Sequence, residues 1–253
     1  MKRIAVLMAA LAFVVAPMVR ADTWLFDWEK DDQFDEWEAI DEAPQNLGDP
    51  GPSTWEVRKS QLGLQGAALF QGSNIWGSAG DEMLMGTFFI YKGQEFLDFK
   101  IEVDVVAADN DGMGLVWGFQ STADHYRAIM INDRWPDPPV DGHSGPFLRM
   151  DKRISDDKPW YDLIDIIKPN DYTPYTEGGP LHWTLEVGRD GSFKFTKTNG
   201  EFVSGQDPSY KGGFVGIQLY AQQAEFDNFT IDAVLSVSPA GKVATTWGAL
   251  KAR

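Results

Sequence analysis

Asp109, Asn110 and Asp111 stand in succession ahead of Gly112. Calcium takes about six to eight oxygen ligands, usually from closely spaced Asp or Asn side chains and backbone carbonyls. Three oxygen-bearing side chains on one tight bend begin such a shell, and Gly112 permits the bend. The pattern of an EF-hand loop is absent, so further ligands must come from elsewhere; Asp124, Asp133 and Asp227 are the candidates. The competing reading is that Asp and Asn simply favour turns. A second pair, Glu102 and Asp104, lies at i and i+2 of an alternating run, which puts both carboxylates on one face of a strand. Paired carboxylates can act as acid and base at a glycosidic bond. They can equally be a solvated strand face with Lys100 as counter-charge.

Gly114 and Gly118 flank the strand position of Trp117, and Gly216 stands on a later strand. Bare strand positions admit either a flat ligand or a neighbouring backbone. Trp117, Tyr126 and the loop residue Trp135 are the carbohydrate-binding candidates; Trp76, Trp160 and Tyr172 are further loop aromatics that could extend a sugar platform. Other chemistries find no support. His125, His143 and His182 are scattered, without the spacing of a zinc site. There is no cysteine, no Gly-x-Ser-x-Gly and no phosphate-cradling glycine loop.

The elements that position these residues centre on Asp98 to Asp133. Phe99, Ile101, Val103, Val105 and Ala107 alternate with Lys100, Glu102 and Asp104, the period of a half-buried strand. Met113 to Gln120 follows as a second strand, with Met113, Leu115, Trp117 and Phe119 on one face. His125 to Ile131 is the third. The stretch reads as a meander whose first hairpin is the acidic turn. Elsewhere the sequence predicts strands at Thr23 to Glu29, Trp55 to Arg58, Leu62 to Leu64, Ala67 to Phe70, Thr87 to Tyr91, Phe147 to Ile154, Trp160 to Ile167, Leu181 to Val187 and Phe193 to Thr198. Gly213 to Tyr220 and Ala224 to Ile231 read as a closing pair. Asp190-Gly191 and Asn199-Gly200 are hairpin signals. Prolines and glycines make loops of 42–53, 134–145 and 170–180.

The N-terminus carries Lys2 and Arg3, an apolar run from Ile4 to Val15, Pro17 and then Val19-Arg20-Ala21. This is the pattern of a secretory signal peptide cleaved after Ala21, too short in its apolar part to span a bilayer. Its removal leaves 19 basic residues against 38 acidic ones and moves the net charge from −16 to −19. Such acidity opposes binding to phosphate backbones and suits divalent cations or neutral sugars. Residues 22–237 read as one domain and 238–253 as a tail of different composition. The turn density and aromatic content point to an all-β domain.

The run from Asp109 to Ile131 resembles the acidic turn, glycine-rich strand and aromatic-ended strand of thrombospondin C-terminal-like domains. Asp207-Pro208-Ser209-Tyr210-Lys211-Gly212-Gly213-Phe214-Val215-Gly216, with Glu225-Phe226-Asp227-Asn228-Phe229, resembles their closing strands. That closing pattern is shared across the concanavalin A-like lectin/glucanase superfamily. It is similar in laminin G-like modules and in bacterial 3-keto-disaccharide hydrolase domains. The likeness covers Phe88 to Asp232, poorly between Arg134 and Pro180. It implies a concanavalin A-like jelly-roll sandwich of two antiparallel sheets, calcium at the acidic turn, and an adhesive or glycan-binding role. Glucanases of the superfamily carry Glu-x-Asp-x-x-Glu on such a strand; here Val106 and Ala107 occupy the places where the third acid would fall. Without cysteine the thrombospondin disulfide has no counterpart, and there is no Arg-Gly-Asp.

The expectation is therefore a secreted protein, extracellular or periplasmic, built as a noncatalytic, calcium-binding, lectin-like sandwich. Its partner would be a glycan or an extracellular surface protein, with no nucleic acid and no membrane insertion. The alternative is a secreted carbohydrate-active hydrolase on the same scaffold, using Glu102 and Asp104 or loop acids.

Overall fold

The computed structural model describes residues 19–42, 47–76, 84–136, 139, 142–155 and 161–236. The chain forms two units. One is Asp22–Ala233; the other comprises Met1–Ala21 and Val234–Arg253, of which only 19–21 and 234–236 are described. The signal-peptide run from Met1 to Met18 and the tail from Ser238 lie outside the described residues, as does Trp160.

In chain order the strands are β1 (Val19–Phe26), β2 (Trp37–Asp41), β3 (Leu47–Gly48), β4 (Trp55–Lys59), β5 (Ala67–Gln71), β6 (Ile75–Trp76), β7 (Thr87–Phe96), β8 (Phe99–Ala107), β9 (Gly112–Ser121) and β10 (Asp124–Ile131). There follow β11 (Phe147–Arg153), β12 (Tyr161–Ile167), β13 (Pro180–Val187), β14 (Ser192–Lys197), β15 (Phe202–Gln206), β16 (Gly213–Tyr220) and β17 (Ala224–Ser236). They make two antiparallel sheets. One has eight strands in the order β15-β14-β13-β8-β17-β5-β4, with β1 beside β17; the other has seven, β12-β11-β10-β9-β16-β7-β2. β3 and β6 form a small separate pair.

The fold is the expected all-β jelly-roll sandwich. Period-2 alternation puts one apolar row of each sheet inward. In β8, Phe99, Ile101, Val103 and Val105 are buried while Lys100, Glu102 and Asp104 are half-buried. The two rows meet through aromatic rings: Trp117 of β9 lies 5.4 Å from Phe193 of β14, and Trp55 of β4 stacks on Phe89 of β7 at 4.7 Å. Rings that each bury about 150–250 Å² supply a large core without a disulfide.

Two connections differ from the sequence reading. β8 pairs with β13 and β17, whereas β9 pairs with β10 and β16. The acidic turn therefore carries the chain from one sheet to the other, and only β9–β10 is a hairpin of the supposed meander. Likewise β16 and β17 belong to opposite sheets. Alternation reports that one face of a strand is buried but not which strand lies beside it. Leu62–Leu64 is not a strand: the Glu225 carboxylate gathers that loop, accepting from Ser60 Oγ (2.6 Å), Gln61 N (2.8 Å), Leu62 N (3.0 Å) and Arg58 Nη2 (3.2 Å).

Gly118 corrects one further assignment. Its φ of +57° lies in the left-handed region that favours glycine, and the pairing of β9 with both neighbours shifts there. The bulge reverses the alternation, so Phe119 turns away from Trp117 and packs with Phe88, Ile90 and Val116 on the outer face of the seven-stranded sheet.

Candidate functional site

The outer face of the seven-stranded sheet carries a polar network. Tyr126 and Trp117 face inward, so alternation turns His125, Arg127 and Val116 outward. On β11 the residues paired with His125, Arg127 and Ile129 are Arg153, Asp151 and Arg149. Asp151 takes both guanidinium groups: Oδ2 accepts from Arg127 Nε and Nη2, each at 3.1 Å, and Oδ1 from Arg149 Nε at 2.8 Å and Nη2 at 2.7 Å. Arg153 pairs with Glu42. Arg127 Nη1 and Gln218 Nε2 both donate to the Leu84 carbonyl, at 3.1 and 3.0 Å.

Tyr161 lies over this network, its ring 3.6 Å from the Arg127 guanidinium carbon. His125 Nδ1 faces the Ser121 carbonyl at 3.2 Å and Nε2 the Tyr161 hydroxyl at 2.8 Å. A carbonyl can only accept, so Nδ1 bears the hydrogen and the tyrosine hydroxyl donates to Nε2. Burial, with Arg127 adding to it, pushes His125 down to about 3, so the ring stays neutral. Burial likewise pushes the Tyr161 hydroxyl up to about 12. Asp151 and His125 are 0 % exposed and Arg127 1 %. This network is sealed: it braces the sheet and fixes Leu84 rather than meeting a ligand.

An open cavity of about 460 Å³ lies instead at one end of the sandwich, lined by Gly118, Gln120, Asp124, Tyr126, Lys152, Ser209, Lys211 and Gly212. Its parts come from the β9–β10 hairpin, from β11 and from the loop before β16. The Asp207 carboxylate organises it from behind. Its Oδ2 accepts from the Tyr126 hydroxyl and from Lys152 Nζ, both at 2.8 Å, and its Oδ1 from Ser209 N at 2.8 Å. Lys152 also donates to Ser209 Oγ at 3.1 Å. Burial alone would raise the Asp207 carboxyl, but hydrogen bonds from Lys152 and Ser209 hold it well below the usual carboxylate range. Burial raises Tyr126, reinforced by its bond to Asp207. The Lys152 ammonium, which burial would lower, is raised by those same partners and stays charged. The bare position at Gly118 matters here: a Cβ would meet Tyr210 at 3.0 Å and Tyr126 at 3.1 Å.

The acidic turn is tied down by its own backbone. The Asp109 and Asp111 carbonyls accept from Gln222 Nε2, at 2.8 and 3.3 Å, and the Tyr175 hydroxyl donates to the Asp111 carbonyl at 2.6 Å. The Asn110 carbonyl accepts from the backbone N–H groups of Asn132 and Asp133. Asp109 Oδ1 accepts from Asn110 N. These carbonyls already accept hydrogen bonds, and among the described residues no group of three or more His, Asp or Glu side chains is placed to hold a metal. Asp124 lies at the cavity and Asp227 in the other sheet, away from the turn; Asp133 is near but bonds the Trp135 backbone N–H.

On the outer face of the eight-stranded sheet, His182 joins Glu102 and Asp104. β13 lies antiparallel to β8 with His182 opposite Asp104. Nδ1 is 2.8 Å from Asp104 Oδ1, and Nε2 is 3.7 Å from Glu102 Oε1. Lys100 Nζ pairs with Glu102 at 2.8 Å, and Asn228 Nδ2 donates to Asp104 Oδ2 at 2.9 Å. Beside them Asp227 is buried at a bulge where Asn228 has φ +52°. Burial first, then the Asp104, Asp27 and Glu29 charges, push Asp227 up to about 6 against the hydrogen bond from Asn228 N.

Of the three carbohydrate-binding candidates, Trp117 and Tyr126 touch, while Trp135 lies apart from them. Trp117 is 0 % exposed, stacked on Tyr126 in the core, and has no face open to a sugar. Tyr126 is buried too but lines the cavity, its hydroxyl donating to Asp207. Trp135 and Trp76 pack on the outer face of the seven-stranded sheet against Leu84, Ile129, Ile131 and Phe147. Tyr172 is buried. Gly114 and Gly216 admit neighbouring backbone, since a Cβ at either would strike the Ala128 or Phe89 carbonyl. Sequence reasoning missed Lys152, Asp207 and the arginines; alternate charges in Phe147-Leu148-Arg149-Met150-Asp151-Lys152-Arg153 were the available signal.

No family model matches the chain, and no curated protein does. The solved structures that share the fold include two from Bacillus subtilis. A carbohydrate-binding module, CBM66, of Bacillus subtilis aligns at a TM-score of 0.53 and 15% identity, over 78% of this chain and 96% of that one. A Bacillus subtilis protein of unknown function with a galectin-like fold aligns at 0.52 and 9% identity, over 86% and 99%.

Proposed function

We propose that this chain is an exported, noncatalytic, lectin-like module that binds glycan and serves attachment to glycan-bearing surfaces. The observation that carries the reading is the end cavity. Its volume of about 460 Å³ suits one or two sugar rings, and two lysines, a serine, a glutamine and an aspartate line it together with Tyr126. The fold it shares with a carbohydrate-binding module is compatible with that use. Export rests on the N-terminal pattern from Lys2 to Ala21. A hydrolase built on Glu102 and Asp104 is less well supported, because Lys100, His182 and Asn228 already engage both carboxylates.

Calcium at the acidic turn is a separate proposal. The Asp109, Asn110 and Asp111 side chains would supply the protein oxygens and water the rest. A glycan array probed with the mature chain tests the main reading. Binding is expected, and Gln120→Ala with Lys211→Ala, both at exposed positions, should abolish it while leaving the melting temperature unchanged. An array without signal, or wild-type binding by the double variant, would overturn it.

A further inference from the structure

We infer that the end cavity selects neutral sugars, reading hydroxyl groups with balanced charges, and discriminates against uronic-acid and sulfated glycans. This rests on the glycan-binding reading of the same cavity. Two lysines, Lys152 and Lys211, reach it, in a chain where acids outnumber bases by 38 to 22. Alone they would suggest a site for an anion. Each sign is matched, however: Asp124 lines the same cavity, and Asp207 sits 2.8 Å behind Lys152. The cavity is locally neutral within a chain of net charge −16. A carboxylated or sulfated ligand would find no net local attraction, and the field of the whole chain would repel it.

A sugar hydroxyl both donates and accepts, so it can use both signs. The Lys152 ammonium is held in place by Asp207, by Ser209 Oγ and by the Tyr126 ring, whose centre is 5.1 Å away. It is a preorganised donor that loses little freedom on binding. Asp124 supplies a carboxylate acceptor. Hydrogen bonds with one charged partner are about twice as strong as neutral ones, so paired charges read hydroxyls well without requiring a charged ligand.

The test titrates the mature chain with oligosaccharides of neutral hexoses and with uronic-acid and sulfated counterparts, at about 0.05 M and about 0.5 M salt, where surface charges are weakly and strongly screened. Neutral sugars should bind best, with affinity changing less than about twofold between the two salts. Lys152→Met should weaken them about tenfold or more, the loss of a charge-assisted hydrogen bond. Asp124→Asn, at an exposed hairpin position, should weaken neutral sugars and strengthen uronates. Thermal melts verify that both variants fold; should Lys152→Met fail to, Asp124→Asn decides alone. Preference for acidic glycans, steep salt dependence, or unchanged selectivity in Asp124→Asn would overturn the inference and leave glycan binding standing. No binding to any glycan would overturn the glycan reading itself.

Discussion

Replacing Asp227 by Asn should stabilise the fold at neutral pH and do so only there. Asp227 is 5 % exposed, and its carboxyl rises from 3.8 to about 6 because burial and the Asp104, Asp27 and Glu29 charges disfavour its ionised form. The folded state thus holds a proton that the unfolded chain releases between those two values. Stability changes with pH in proportion to the protons bound by the unfolded chain minus those bound by the fold. That difference is negative in this window, so the group removes stability as pH rises from about 4 to about 6. The full penalty, near 3 kcal/mol at about 1.4 kcal/mol per unit, is present above pH 6. Asn keeps an oxygen to accept from Asn228 N, which lies 2.7 Å from Oδ1, and carries no charge. His125 has the opposite slope: pushed from 6.5 down to about 3, it removes stability as pH falls through that range. Both chains contain His125, so it cancels in the difference between them. Urea unfolding of the two chains from pH 3.5 to 8 is the assay. The variant's advantage should be absent near pH 3.5, grow through pH 5 and level off near 3 kcal/mol above pH 6.5. A pH-independent difference, or a variant less stable at pH 7, would refute the electrostatic account of Asp227.

Three further outcomes follow from the packing. Asp151→Ala leaves two buried guanidinium groups without their shared carboxylate and should cost about 3–5 kcal/mol in urea unfolding; a loss under about 1 kcal/mol would show the network to be hydrated. Trp117→Ala should cost a similar amount as a core truncation, about 3–5 kcal/mol; a stable variant that had merely lost glycan binding would place Trp117 at the ligand instead. Calcium at about 100 times its dissociation constant should add roughly 2.7 kcal/mol if the acidic turn binds it, and Asp109→Ala with Asp111→Ala should erase that gain; equal melts with calcium and with chelator would end the proposal.

What the sequence showed of the fold was each strand's buried face. β8 and β13 alternate cleanly, and Asn199-Gly200 marks its turn with Gly200 at φ +86°. Sheet membership was invisible, because the inner row of β8 packs equally well whichever strands flank it. The bulge at Gly118 was visible as a glycine but not as a reversal of faces, since φ is not written in residue type alone. The polar residues divide in the same way. Arg149, Asp151 and Arg153 stood at alternate positions of one strand and were legible as a charged row. That the row is buried depends on Arg127, His125 and Tyr161 from two other strands. His182 lies 78 positions from Asp104 and meets it only because β13 pairs with β8.

The acidic turn and the cavity sit at opposite ends of β9. Gly112 at the turn and Gly118 and Gln120 at the cavity are six to eight residues apart, roughly 20–26 Å at ~3.3 Å each. A cation at the turn would therefore touch no sugar in the cavity, in contrast to a site where metal and sugar share oxygens. Screened across that distance, its charge would also contribute little to the cavity's potential, since the Debye length is about 8 Å at physiological salt. Coupling between the two would need β9 to switch between two arrangements. Its burial on both faces from Gly112 to Phe119, with pairing to β10 on one side and β16 on the other, opposes such a switch. Glycan affinity should thus be the same in calcium and in chelator, even where the melting temperature is not.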